Sequence, residues 1–359
     1  MRKVLMTADT LGGVWTYTME LCAALAPYGV QVTLMTMGRI PDAIQSAEAA
    51  AIGNIELIPT AWRTEWMNGC EDDLRRSGEE FLRLADQVQP DIIHLNNYWH
   101  AGLDLPAPVI VVAHSCVATW WAACRKTPLP DEWASYQSWV AEAVARADTL
   151  VAPTAAFLVD FEAAHGRATR SVVIANGRNE ALFKPGVKRR IVFAAGRLWD
   201  EAKNVAILGR VAETIDTPII VAGDVTAPDG TVIEARGLAS LGRLSSAETR
   251  RWMAEAAIYA APARYEPFGL SILEAALSGC ALILGDIPTL RELWDGVATF
   301  VDPDDAQGLK RAIRMLTDMP QLAASDGQKA RERALAYSAE AMGAAYMQLY
   351  RTFDLKVAA

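Results

Sequence analysis

Two glutamates, Glu266 and Glu274, bracket the run Pro267-Phe268-Gly269-Leu270-Ser271-Ile272-Leu273. Apolar residues end just before Arg264-Tyr265, and a helical pattern begins at Leu270, so the run reads as strand, turn, then helix. That is an anion site in principle. Glycine lets the backbone come close to a ligand, the first amides of the helix are free, and the helix dipole favours negative charge. Carboxylates in the turn and one turn into the helix can accept hydrogen bonds from the vicinal hydroxyls of a sugar or a ribose. A plainer reading uses the same residues. Ser271 and Glu274 have capping-box spacing, and Glu266 can be a solvated loop acid. Spacing alone leaves both open.

Other residues offer less. His114 ends an apolar strand over residues 109–113, and the carboxyl end of a parallel strand usually faces a crevice; a satisfied core histidine is the alternative. His94, in Pro-Asp-Ile-Ile-His, can equally bridge two strands, and His100 and His165 receive no role. Asp302-Pro303-Asp304 mimics a D-x-D metal motif. It follows a short strand and precedes a helix, so an N-cap and a turn explain it better. The five cysteines form no CxxC pair and read as reduced thiols. With no dense His/Asp/Glu cluster either, no metal and no cofactor are expected.

Short apolar strands alternate with helix-length amphipathic segments along nearly all of the 359 residues. Strands are expected at 4–8, 30–37, 91–95, 109–113, 149–152 and 172–175, then again at 191–195, 219–222, 258–261 and 281–284. Continuous apolar runs between helices mark parallel βαβ units, buried on both faces. Asn176-Gly177-Arg178-Asn179 and Phe183-Lys184-Pro185-Gly186 interrupt the pattern with turn chemistry, so 176–186 reads as a linker. The expectation is α/β, with two doubly wound domains and ligands beyond the carboxyl ends of their strands.

Charge and composition exclude some partners. A net charge of −9 opposes a general nucleic-acid binder. It also gives no support to binding an anionic membrane. The N-terminal apolar stretch is too short for a signal sequence and no later run spans a membrane, so a cytoplasmic location is expected.

The run Glu266-Pro-Phe-Gly-Leu to Glu274 resembles the E-x7-E motif of retaining glycosyltransferases of GT-B architecture, specifically glycosyltransferase family 4. Further segments agree in order: Gly12-Gly13 after the first strand, His94, His114, Ile174-Ala175-Asn176-Gly177, Gly196-Arg197-Leu198 with Lys203, and Gly242-Arg243-Leu244. The resemblance implies two Rossmann-like domains facing a central cleft. One comprises 1–175 with a C-terminal helix at about 339–359 and takes the acceptor; the other, 186–338, binds a nucleotide-sugar donor. It implies that Arg197 and Lys203 clamp the diphosphate, a planar fork beside a point charge. Glu266 would hold the sugar hydroxyls and Glu274 the ribose. The amides of Phe268, Gly269 and Leu270, together with Leu244, would line the donor site. Gly12 and Gly13 would close over it, and His114 would lie near the sugar.

The implied activity is transfer of a hexose, UDP- or GDP-linked, to a hydroxyl acceptor with retention, without a metal and without a protein nucleophile. Eight of the eleven tryptophans precede residue 150. Trp15, Trp99 and Trp120 are therefore acceptor candidates, since indole faces stack on sugars, with core packing as the alternative. A nucleotide-sugar epimerase and a non-catalytic sugar-binding homologue are the rival functions. A dinucleotide oxidoreductase is discounted because the first strand lacks G-x-G-x-x-G. The chain also departs from the family, having Arg178-Asn179 where Val-Asp is common and Asn204 where Gly often follows the lysine.

Overall fold

The computed structural model describes residues 1–227, 230, 232 and 237–357. The chain divides into two units. Unit 1 is Met1–Ala122 with Thr127–Gly177 and Ala339–Ala359; unit 2 is Ala123–Lys126 with Arg178–Ser338.

Unit 1 holds seven strands: β1 (Arg2–Asp9), β2 (Val30–Met37), β3 (Ile55–Ile58), β4 (Ile92–Leu95), β5 (Val109–Val112), β6 (Thr149–Ala152) and β7 (Ser171–Val173). Their order is β3-β2-β1-β4-β5-β6-β7, and every pairing is parallel. Strands β4, β5 and β6 are buried along their whole length, as continuous apolar runs covered on both faces must be. The short edge strand β3 was not foreseen. Its Ile-Glu-Leu-Ile run is only partly buried, so it carries no clear periodic signal.

The C-terminal helix Ala339–Val357 belongs to unit 1 and packs on the helix Gly13–Leu25. Gly343 permits the approach, because a Cβ there would stand 2.7 Å from that of Ala24. Tyr346, Tyr350 and Phe353 are buried in this contact. Tyr17 Oη donates to Tyr346 Oη at 2.6 Å, and Tyr350 Oη lies 2.7 Å from His94 Nδ1.

Unit 2 holds β8 (Arg189–Ala195), β9 (Ile219–Ala222), β10 (Ala239–Ser240), β11 (Ala256–Ala261), β12 (Ala281–Gly285) and β13 (Thr299–Val301). The order is β10-β9-β8-β11-β12-β13, again all parallel. Helices Val205–Ala212 and Ala306–Asp318 share a core with this sheet, through Ile207, Leu208, Ile313 and Leu316. Both units are thus doubly wound and Rossmann-like. In each, the order reverses beside the first strand, between β1 and β4 and between β8 and β11. Ligands in open α/β sheets bind at such switch points, outside the carboxyl ends of the strands.

The segment expected to be a linker is mostly part of unit 2. From Arg178 onward it is tied down by the buried ring of Phe183, over which the Arg178 guanidinium sits at 5.2 Å. Among the described residues no helix is long and apolar enough to cross a membrane. None of the five cysteines, all of them among the described residues, is in a disulfide.

Candidate active site at the switch point of unit 2

Strand β8 ends at Ala195 and the chain turns through Gly196, at φ +154°. The turn is tight because Gly223, after β9, lies against it: a Cβ on Gly223 would stand 1.7 Å from the Gly196 carbonyl oxygen. Arg197 follows, half exposed, its guanidinium donating to Asp200 Oδ2 at 2.8 Å and lying 5.4 Å from the Trp199 ring. Asp200 also accepts from the Ala202 amide, which starts the short 3-10 turn Glu201–Lys203. Lys203 at its end reaches back across the mouth of the sheet.

The partner strand, β11, ends at Ala261 and leads into the glutamate-bracketed run. Lys203 Nζ donates to Glu266 Oε2, and both side chains are largely buried. Thr289 donates to the Glu266 carbonyl at 2.7 Å and fixes the backbone of the turn. Gly269 then caps the helix Leu270–Leu277 at φ +88°, where a Cβ would meet Ile272 Cδ1 at 2.8 Å and Glu266 Cγ at 3.2 Å. No side chain caps this helix, and Glu274 faces Arg178 instead, with Nε 3.0 Å from Oε1. The capping-box reading of Ser271 and Glu274 is thereby excluded, and Glu266 is not a solvated loop acid.

Asn204 holds the two halves of the mouth together. It adopts φ +54°, a left-handed conformation that Gly and Asn accept most readily. Its Nδ2 donates to the carbonyls of Pro262 at 2.9 Å and Pro303 at 2.7 Å, and its Oδ1 accepts from Arg264. Each such bond contributes about 0.5–1.5 kcal/mol, which offsets the strain and accounts for Asn where glycine is common. Arg264 also grips Asp304 at 2.7 Å, and Asp302 Oδ1 accepts from the Asp304 amide. The D-x-D acids are therefore a turn and an ion-pair partner, while Asp305 caps the next helix. Among the described residues no group of three His, Cys, Asp or Glu could hold a metal.

The electrostatics are uneven. Burial pushes the Glu274 carboxyl up, and the charges of Arg178 first and Arg250 second pull it down. A small cavity of about 20 Å³ touches Gly196, Lys203, Tyr259, Glu266 and Ser271. A larger hollow of about 730 Å³ touches Asn204, Arg264 and Asp304 but neither glutamate of the motif. Volume favours the second and chemistry the first. The small cavity is the better candidate, because the Lys203–Glu266 pair lines it and Gly269, the cap of the next helix, packs against Glu266.

The remaining predicted donor residues lie around this mouth or in unit 1. Phe268 is buried edge-on against Tyr337, so only its backbone can serve a ligand. Leu244, half-buried, precedes the Ser245 cap of the helix Ser246–Glu255. Its loop is anchored by Gly223 donating to the Gly242 carbonyl at 2.8 Å. In unit 1, Gly12 and Gly13 are exposed after β1, with Gly12 at φ +98° capping the first helix.

His114 follows β5 and is half-buried, with Nε2 2.8 Å from Asn96 Oδ1. Asn96 Nδ2 donates to the Thr7 carbonyl at 2.8 Å, which turns Oδ1 toward the histidine and makes Nε2 the protonated nitrogen. Burial lowers the imidazole to about 3, so it is neutral near pH 7. Asn96 and its neighbour Asn97 sit at the switch point of unit 1 and were missed. The available signal was a polar pair directly after an apolar strand.

One tryptophan expected at the acceptor site is committed to packing. Trp15 is 5% exposed and donates its indole N–H to Glu48 at 2.8 Å, joining two helices. It offers no face to an acceptor. Trp99, half-buried, packs one side on the helix Glu71–Val88, where a Cβ on Gly78 would touch its ring at 2.8 Å, meets His100 edge-on, and keeps its candidacy. Trp120, on the helix Val117–Arg125, is half-exposed beside Trp121 and keeps its candidacy. His94 is fully buried between tyrosines and is structural.

Comparison with known proteins agrees with this geometry. Residues 11–182 match the family model described as Glycosyltransferase Family 4, and residues 189–319 match Glycosyl transferases group 1. The glycogen synthase of Mycobacterium tuberculosis is 25% identical over 90% of this chain and 86% of its own. Sucrose-phosphate synthase from Thermosynechococcus elongatus superimposes with a TM-score of 0.81 at 18% identity, covering 100% of both chains. Anabaena HepE in complex with UDP and glucose gives 0.76 at 17% identity, over 98% of this chain and 100% of that one.

Proposed function

The chain belongs to glycosyltransferase family 4, and we propose that it transfers a hexose from a UDP- or GDP-linked donor to a hydroxyl acceptor, with retention and without a metal. The observation that carries this reading is the Lys203–Glu266 pair across the β8/β11 switch point, with Arg197 in the turn that leads to the lysine, held by Asp200, and Gly269 beside the acid. Stability does not explain such a pair. For a largely buried ion pair, desolvation offsets most of the Coulombic gain. A diphosphate accounts for it better. Lys203 and Arg197 take the phosphate oxygens and stabilise the charge growing on the leaving nucleotide.

Released from Lys203, Glu266 accepts from the sugar hydroxyls and Glu274 from the ribose, while the amides after Pro267 approach the ligand through Gly269. The two cations neutralise the leaving group without a divalent ion. The acceptor hydroxyl attacks the face the diphosphate leaves, and the departing phosphate oxygen takes its proton. His114, neutral with Nε2–H donated to Asn96, serves by hydrogen bonding and not as an acid. Trp99 and Trp120 are the remaining aromatic candidates for the acceptor. The nucleotide bound by the Anabaena protein supports UDP as one donor base.

The reading is tested by measuring melting temperature with UDP, GDP and ADP. A ligand present at 100 times its Kd stabilises the native state by about 2.7 kcal/mol, and UDP or GDP is expected to do so. The matching sugar nucleotide should then be turned over in excess EDTA, with the donor's anomeric configuration kept in the product by proton NMR. Stabilisation by ADP alone, an inverted product, or activity lost in EDTA and restored by magnesium each overturns the corresponding part.

A further inference from the structure

Arg178 stands where the sequence departs from its family, and it is 8% exposed. Its contacts fix it. Its backbone N–H donates to the Tyr337 carbonyl at 3.1 Å, its guanidinium lies 5.2 Å from the Phe183 ring, and its Nε is 3.0 Å from Glu274 Oε1. We propose that Arg178 is a positioning residue for Glu274, holding the carboxylate ionised and aimed so that it receives the ribose hydroxyls of the donor nucleotide. The inference rests on the reading of Glu274 as the ribose ligand.

Chemistry favours this role over a merely structural tie. A ribose diol needs an acceptor, and an ionised carboxylate only accepts, whereas a protonated one donates from one oxygen. Glu274 is buried, which opposes ionisation; the guanidinium is the larger of the two nearby charges that restore it. The contact engages Oε1, so the rest of the carboxylate can face a diol. The guanidinium is anchored through its backbone and lies against the Phe183 ring, which fixes where its charge stands beside the carboxylate; a lysine's flexible stem would not.

The test is calorimetric titration of UDP and GDP, and of their 2′-deoxy and 3′-deoxy counterparts, against the full chain and its variants. The unaltered protein is expected to prefer the ribonucleotide by about tenfold or more, the value of one charge-assisted hydrogen bond. Arg178→Leu should bring the ratio toward one, and Arg178→Lys should keep part of it. If folded Arg178→Leu keeps the full ratio while Glu274→Gln loses it, the positioning role is overturned and the ribose reading stands. If Glu274→Gln keeps the ratio, or no nucleotide binds the unaltered protein, the ribose reading itself fails. Should Arg178→Leu not fold, Arg178→Gln is expected to show the same loss, and an unchanged ratio there overturns the proposal.

Discussion

Lys203 and Glu266, 63 residues apart, form an ion pair at the point where β8 and β11 lie side by side. Each is the terminus of a separate βα unit, and their meeting depends on strand order. The pair's effect on turnover should therefore exceed its effect on stability. Lys203→Ala is expected to lower kcat/KM by about a hundredfold or more, as for loss of one preorganised donor to a leaving or attacking oxygen. Steady-state kinetics with the sugar nucleotide, alongside circular dichroism, checks this. Unchanged kinetics in a folded variant would remove Lys203 from the diphosphate site.

Gly223 supports the site from behind, with no room for a Cβ against the Gly196 carbonyl oxygen. Gly223 also lies at φ +145°, where side chains are strained. Gly223→Ala should push the Gly196–Arg197 turn out of place, lowering the melting temperature and weakening nucleotide binding together. Gly29→Ala is the control, since φ there is also positive but no atom lies within 4 Å. It should cost stability without changing affinity.

His100 is fully buried, with Ser77 Oγ 3.1 Å from Nε2 and Asn97 Nδ2 2.6 Å from Nδ1. Burial lowers its imidazole from 6.5 to about 3. A histidine depressed on folding contributes stability that is complete above the unfolded value and is lost as pH falls below about 6.5 toward 3. Within that window it should add about 1.4 kcal/mol per pH unit to the slope of unfolding free energy against pH. Glu65 and Glu274, raised by burial, act in the opposite sense. The comparison is therefore made between His100→Gln and the unaltered protein by urea titration from pH 4 to 6. Equal slopes would mean that His100 is already protonated in the folded state.

Much of the molecule follows from sequence pattern. The apolar runs at 30–37, 149–152 and 219–222 are strands over just those residues, and the helix after Gly269 begins at Leu270. Parallel strands buried on both faces leave an unbroken apolar signal, and a glycine cap leaves a local one. The E-x7-E spacing belongs to a single turn and helix, so it too was legible. What the sequence did not determine is which distant side chains meet. Asp200 answers Arg197 locally, yet His114 reaches Asn96 only because β4 and β5 are neighbours, and Arg178 reaches the helical Glu274 only because its backbone is tied at Tyr337. Trp15 and Trp120 show the same limit. Both are tryptophans near strand ends, and only packing decides that one is buried against Glu48 while the other is half-exposed. Periodicity reports which residues of an element share a face, and the tertiary fold decides how far that face is covered and by what.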